Sequence, residues 1–264
     1  MARSLVPKQQ WARRLVYELI HVAQAVGGRA TFNFGYAPAD PLISGDREFA
    51  READHIQLYA EVLALLPWHH TTWCKAAVLE VAAAGGGGLR FLRKRYGPRE
   101  VVGVDISTVA VYRARFGGLD VYQADAHQLP FASGRFDCVI CIDALDYLSR
   151  RQFLEEVGRV LVAGGRLLVT ASGMRWQAAS DRLRTFGEVA GFELETLRDL
   201  SPGVLRSVAS RHPGGETAVR YLPRFLRPRA REMLMLPGSE RYRRLLAGES
   251  AFVAALFRAT PGRA

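Results

Sequence analysis

Two acidic residues and the small residues between them carry the first chemical signal. Glu80 stands in the apolar run Val78–Val81, and seven small residues, Ala82 to Gly88, follow. Asp105 closes a second apolar run, Val101–Val104. Small residues let a backbone turn approach a ligand closely. A carboxylate at a strand end can accept hydrogen bonds from ribose hydroxyls. Strand, small-residue turn, helix, strand, acid is the opening of a nucleoside-binding α/β domain. Asp105 has a second reading as a helix N-cap, because a helical segment starts just after it.

The elements that must position these acids alternate along the chain. Strands are expected at Val78–Val81, Val101–Val104, Leu119–Tyr122, Phe136–Ile142 and Arg166–Thr170, with a late strand at Phe192–Leu200. Helices are expected after Leu89, over Val109–Phe116, over Arg151–Val160 with Phe153, Leu154 and Val157 on the sheet, and over Asp181–Ala190. This order predicts a parallel sheet covered on both sides. Before it, Trp11–Val26 and Asp46–Leu66 are apolar at helical spacing and flank an aromatic link, Thr31–Pro38. The last fifty residues read as helical, interrupted by Pro223, Pro228 and Pro237. The expected organisation is an N-terminal helical cap (1–70), a cofactor-binding core with the last strands (71–200) and a C-terminal helical cap packed on it (201–264).

Composition limits the partners. With 264 residues, 49% hydrophobic and 23% charged, the chain is globular and long enough for one large domain or a domain with a lid. The net charge of +10 raises nucleic acid or an acidic membrane as partners. From Val219 to Ala264 ten Arg stand against three Glu. No interleaved aromatic platform accompanies them, so a solvated surface is the favoured reading and no specific nucleic-acid partner is expected. Cys138 and Cys141 lie in or beside apolar strands and read as buried thiols. His69, His70 and Cys74 lack the spacing of a metal site, and no metal is expected. No apolar run reaches membrane-spanning length and no signal peptide is evident, so a cytoplasmic protein is expected.

The order VLEV, small-residue loop, VVGVDIS, QADAHQLPF, FDCVICIDALDYL, VGRVLVAGGRLLVT resembles the class I S-adenosylmethionine-dependent methyltransferases. NFGYAP, SGDRE and QLYAEVL before it, and LPGSERYRRLLAGESAFVAALFR after it, resemble the phthiotriol dimycocerosate methyltransferase-like branch acting on lipids and natural products. The resemblance implies a Rossmann-like, seven-stranded, mostly parallel sheet whose last strand is antiparallel, with N- and C-terminal helical lid segments. It implies S-adenosylmethionine as cofactor. Glu80 and the loop through Ala82, Ala84 and Gly86 would line the cofactor's amino-acid end. Asp105 would take the ribose, Ile106 would pack on adenine, and Asp125 with Ala126 would meet the adenine amino group. Asp125 also reads as a turn residue. Cys141, Ile142 and Asp143 would lie near the methyl donor. Phe34 and Tyr36 belong to a link that closes over cofactor and substrate, with Trp176 as a further apolar wall.

The chain departs from the pattern in two places. Alanines stand at Ala82 and Ala84, where the family loop usually carries glycine; Gly85–Gly88 could rebuild the turn one place later. Asp146 stands where the branch often has histidine. Asp146 could orient or deprotonate an acceptor, aided by Tyr147, or serve only as a polar residue at a helix start. His55 and His212 are alternative bases, and His127 reads as a surface residue. The expected function is methyl transfer to a hydroxyl of a small apolar natural product in secondary metabolism, such as antibiotic biosynthesis. A cyclase or isomerase that leaves the methyl group unconsumed stays open, as does a non-catalytic partner subunit. A homodimer stays open too.

Overall fold

Short apolar runs build the middle of the molecule. The structure, a computed structural model, describes Glu18, His21 and residues 30–38, 47–189, 191–221 and 224–260. Strands β1 (Ala77–Val81), β2 (Glu100–Asp105), β3 (Val121–Gln123), β4 (Phe136–Cys141), β5 (Leu161–Met174), β6 (Phe192–Asp199) and β7 (Ala251–Ala259) form one seven-stranded sheet in the order β3-β2-β1-β4-β5-β7-β6. Strands β1 to β5 are parallel, and β7 runs antiparallel between β5 and β6. Val81 pairs with Val104 on one side and with Cys141 on the other. The chain steps outward from β1 to β3 and then crosses back to β4 beside β1. That reversal opens a crevice at the carboxyl ends of β1 and β4, where open α/β sheets bind ligands.

The helices are α1 (Ala53–Leu63), α2 (His70–Trp73), α3 (Gly87–Arg95), α4 (Thr108–Phe116), α5 (Arg150–Val160), α6 (Trp176–Val189), α7 (Ser201–Arg220), α8 (Arg227–Met233) and α9 (Glu240–Leu246). All five β1 residues are buried, and they alternate between two cores. Val78 joins Ile56, Leu58 and Val62 of α1 and Leu89 and Leu92 of α3. Ala77, Leu79 and Val81 join Phe153, Leu154 and Val157 of α5 on the opposite face. Successive strand side chains point to opposite faces, so a strand apolar at every position is one covered on both.

The tail departs from expectation. Helix is predicted over the last fifty residues, yet Ala251–Ala259 is a strand inside the sheet, so the segment assigned to a C-terminal cap supplies part of the core. Ala251 to Phe257 are all buried, and a run apolar at every place has no period to separate strand from helix. The expected helix over Trp11–Val26 lies outside the described residues except for Glu18 and His21. Helix α6 begins earlier than periodicity indicates and places Trp176 as its first residue, partly exposed. Among the described residues no helix is long and apolar enough to cross a membrane.

Candidate active site

The loop after β1 keeps the backbone of a glycine turn with alanines in it. Ala82 has φ +59°, Ala84 φ +48° and Gly86 φ +81°. All three alternate positions are left-handed, a region that costs a residue with a Cβ free energy. The turn is therefore not rebuilt one place later. The Ala83 amide donates to the Val104 carbonyl at 3.0 Å and the Gly86 amide to Ala83 O at 2.9 Å. Gly86 then serves as the left-handed N-cap of α3. Gly88 admits a close neighbour: a Cβ there would lie 2.3 Å from the Tyr59 ring and 2.6 Å from Glu80 Oε1.

Three carboxylates follow at the carboxyl ends of three adjacent strands, two of them buried and Asp143 half-buried. Glu80 of β1 is 1% exposed. Its Oε1 accepts a short hydrogen bond from the Tyr59 hydroxyl, and among the described residues its Oε2 has no hydrogen-bond partner, although the Leu89 amide also draws the carboxyl down. Burial pushes its carboxyl up to about 8, against the opposing pull of the Tyr59 hydroxyl. Asp105 of β2 accepts from the Ala84 amide through Oδ2 and from the Ser107 amide through Oδ1, both at 2.8 Å. Burial raises its carboxyl too, opposed by nearby His21 and those amides. Asp143, just past β4, has φ +57° and accepts from the Phe34 amide at 2.7 Å. Its other oxygen accepts from the Thr170 hydroxyl at 3.2 Å. Burial pushes its carboxyl up to about 7.

The alternative readings of the acids separate here. Asp105 is not the cap of α4; Ser107 is, its Oγ accepting from the Ala110 amide at 3.1 Å. Glu18 adds a second cap, accepting from Ser107 Oγ at 2.7 Å and from the Thr108 and Val109 amides at 2.7 and 3.1 Å. A carboxylate has about four acceptor sites, so two amides leave Asp105 capacity for two hydroxyl donors. Asp125 is a turn residue: its Oδ1 accepts from the His127 amide at 2.9 Å and from the His127 ring at 2.6 Å. His127 Nε2 accepts in turn from the Ser149 amide at 2.9 Å, tying the loop to α5. Ala126 is buried beneath this turn, and Ile106 is 42% exposed at the end of β2. Cys141 is fully buried, and burial pushes its thiol up, out of nucleophilic range.

The aromatic link is strapped across the acceptor side. Its Tyr36 amide donates to Asp54 O at 2.8 Å and its Ala37 amide to Gly203 O at 2.9 Å, joining α1 to α7. Phe34 packs edge-on against Phe252, with ring centroids 6.0 Å apart. Tyr36 lies over Gly203, where a Cβ would come within 2.1 Å of its ring. His55 is buried and donates from Nδ1 to Asn33 Oδ1 at 3.0 Å, the Gly35 amide fixing that oxygen as acceptor. Asp146 accepts from the Ser172 amide at 3.1 Å, from Ser172 Oγ at 2.9 Å and from Arg150 at 3.2 Å. Tyr147 beside it is 42% exposed. His212 lies in α7, and its side chain is outside what the structure describes.

Two residues escape the sequence. Tyr59 counts only as one apolar place on α1. Glu52 accepts from the Ala30 and Thr31 amides at 3.0 Å each and pairs with Arg90 at 2.9 Å, seating the link on α3. Gly88 is the one trace in the sequence of the Tyr59–Glu80 contact, because that contact needs a residue without Cβ.

Acids on neighbouring strands, pushed upward by burial, release their protons more readily when a cation binds beside them. A left-handed turn of small residues beside an acceptor of hydroxyl hydrogens suits a nucleoside. The donor set therefore fits a nucleoside with positive charge near Glu80.

Residues 79–169 match the family model described as methyltransferase domain. The chain is 32% identical over 190 residues to the phthiotriol/phenolphthiotriol dimycocerosates methyltransferase of Mycobacterium leprae. That alignment covers 66% of this chain and 66% of the relative, so the chain spans just under two thirds of that protein. It is 30% identical over 230 residues to the fatty-acid O-methyltransferase of Mycolicibacterium smegmatis, covering 75% of this chain and 80% of that one. Its fold is similar to that of the solved 4+2 cyclase SpnF, with a TM-score of 0.66 and 20% identity over 94% of this chain and 95% of that chain. On these matches the chain belongs to the class I S-adenosylmethionine-dependent methyltransferases, a family whose cofactor is S-adenosylmethionine.

Proposed function

We propose that the protein transfers a methyl group from S-adenosylmethionine to an oxygen of a small, largely apolar, lipid-like acceptor of secondary metabolism. The observation that carries this reading is the row of acids at the crevice, buried Glu80 and Asp105 and half-buried Asp143, with Glu80 Oε2 unpartnered among the described residues. In it, Glu80 and the Ala82–Gly86 turn hold the cationic amino-acid end, and Asp105 holds the ribose hydroxyls through charge-assisted hydrogen bonds. Ile106 offers an exposed apolar face to adenine, and the second oxygen of Asp125 meets its amino edge beside Ala126. When bound, the cofactor supplies a methyl carbon already activated by a sulfonium, so the protein's task is alignment and exclusion of water.

On the acceptor side, Phe34 and Tyr36 close the crevice, and Trp176 at the start of α6 adds an apolar wall. Asp146, with Tyr147, acts there as a positioning residue, since both of its oxygens already hold Ser172 and Arg150. His55 orients the strap through Asn33.

Calorimetric titration with S-adenosylmethionine and mass analysis of products from a panel of apolar acceptors test the reading. Stoichiometric S-adenosylhomocysteine and a product heavier by one methylene are expected. An isomerised product of unchanged mass, with the cofactor unconsumed, would replace methyl transfer by cyclisation. Turnover only in the presence of a co-expressed homologue would make the chain a partner subunit.

A further inference from the structure

Beyond the row of acids, two arginines stand at the acceptor edge of the crevice. A cavity of about 40 Å³ opens at the carboxyl end of β5 and the start of β7, lined by Ser172, Gly173, Arg241, Arg244, Ser250 and Phe252 among others. It has room for a headgroup of a few heavy atoms and not for a whole lipid. Arg241 is half-buried in its wall. Its guanidinium lies 4.9 Å over the Phe34 ring, and one Nη donates to Ser172 Oγ at 3.2 Å.

That serine is itself held. Its hydroxyl donates to Asp146 Oδ2 at 2.9 Å, which turns its lone pairs toward Arg241. The stack on Phe34 and the bond to Ser172 set the plane of the guanidinium and use one of its five N–H donors. Asp146 is paired with Arg150, Asp143 accepts from Phe34 and Thr170 while the Arg241 charge draws its carboxyl back down, and Glu232 accepts from the Arg241 amide. Arg244 in the same wall adds a second positive charge. A planar fork of donors in a headgroup-sized cavity, beside an apolar strap, is a carboxylate seat.

Building on the methyltransferase reading, we propose that the acceptor is an apolar carboxylic acid whose carboxylate binds Arg241 in this cavity, with its chain lying under the Phe34–Tyr36 strap. Such an oxygen arrives already anionic and needs no base. Asp146 then acts at one remove, by fixing Ser172.

The test measures binding of decanoic acid, decan-1-ol and decanamide to the full chain in the presence of S-adenosylhomocysteine, by calorimetry. The acid should bind about tenfold to a hundredfold more tightly than the alcohol, the range for hydrogen bonds to a charged group. Arg241→Gln should abolish that preference while changing alcohol binding less than about twofold, and Arg241→Lys should restore part of it. Thermal unfolding of both variants shows whether α9 keeps its place. Equal binding of acid and alcohol, no binding of the acid, or a preference unchanged in a folded Arg241→Gln overturns the seat. The two readings fail separately. Selective acid binding without methylation would leave the seat and remove the transferase, whereas methylation of the alcohol indifferent to Arg241 would do the reverse.

Discussion

Replacing Ala82 by glycine should make the protein more stable. Ala82 holds φ +59°, and a left-handed residue with a Cβ costs about 1–2 kcal/mol. Glycine removes that strain but loses more backbone freedom on folding, roughly 0.5–1 kcal/mol. Ala82 is only half-buried, so little packing is lost, and the net gain is about 0.5–1 kcal/mol. In a domain of this size that is a rise in Tm of about 1–4 °C. Ala84 carries the same strain at φ +48° but is 5% exposed, and losing a buried methyl costs about 0.8 kcal/mol. Ala84→Gly should therefore be close to neutral. Ala83 lies between them without a positive φ and is 1% exposed, so Ala83→Gly should lose about 1–2 kcal/mol. The predicted order is 82 above 84 above 83, read by denaturant and thermal unfolding. Cofactor affinity should stay within about twofold in Ala82→Gly, because the backbone already has the glycine geometry. If Ala82→Gly falls as far as Ala83→Gly, the left-handed turn is not the one the protein adopts.

Asp105→Asn should weaken S-adenosylmethionine binding by about 1–3 kcal/mol, the range for a hydrogen bond to a charged group, whereas Asp146→Asn should lower turnover with little change in affinity; equal effects on calorimetric affinity would misplace the nucleoside site. The Glu80 carboxyl, pushed up to about 8 from 4.5, binds a proton in the folded chain that the unfolded chain has released. Stability of the cofactor-free protein should therefore fall as pH rises from about 5 through 8, and Glu80→Gln should flatten that slope in denaturant titrations. Affinity for the cationic cofactor should rise over the same window, with protons released on binding; a flat profile in the parent chain contradicts the assignment. Gly88→Ala should cost about 1–3 kcal/mol by driving a methyl into Tyr59 and Glu80, and Tyr59→Phe, which takes the donor from Glu80 Oε1, a similar amount; a Tm unchanged in both would deny the contact.

Much of the fold was legible in local pattern. The apolar runs ending at Val81, Asp105 and Cys141 identify central strands because a strand covered on both faces must be apolar throughout, and the acids that follow mark the ligand edge. The same uniformity hid β7: AFVAALF carries no alternation, so only its hydrogen bonding to β5 and β6 decides that it is a strand. Loop chemistry was half visible. Composition showed alanine where glycine is usual, but the choice between a rebuilt turn and a strained one is a matter of φ, which the sheet imposes by tying Ala83 to Val104 and Ala84 to Asp105. The partners of the acids were not legible at all. Tyr59 meets Glu80 across 21 residues, Phe34 meets Asp143 across 109, and Arg241 meets Ser172 across 69. Residue type shows what each group can donate or accept, and local spacing shows which element carries it. Burial, a committed lone pair and an orphan oxygen arise only when distant segments close on one another, and those are the properties that set what the site can bind.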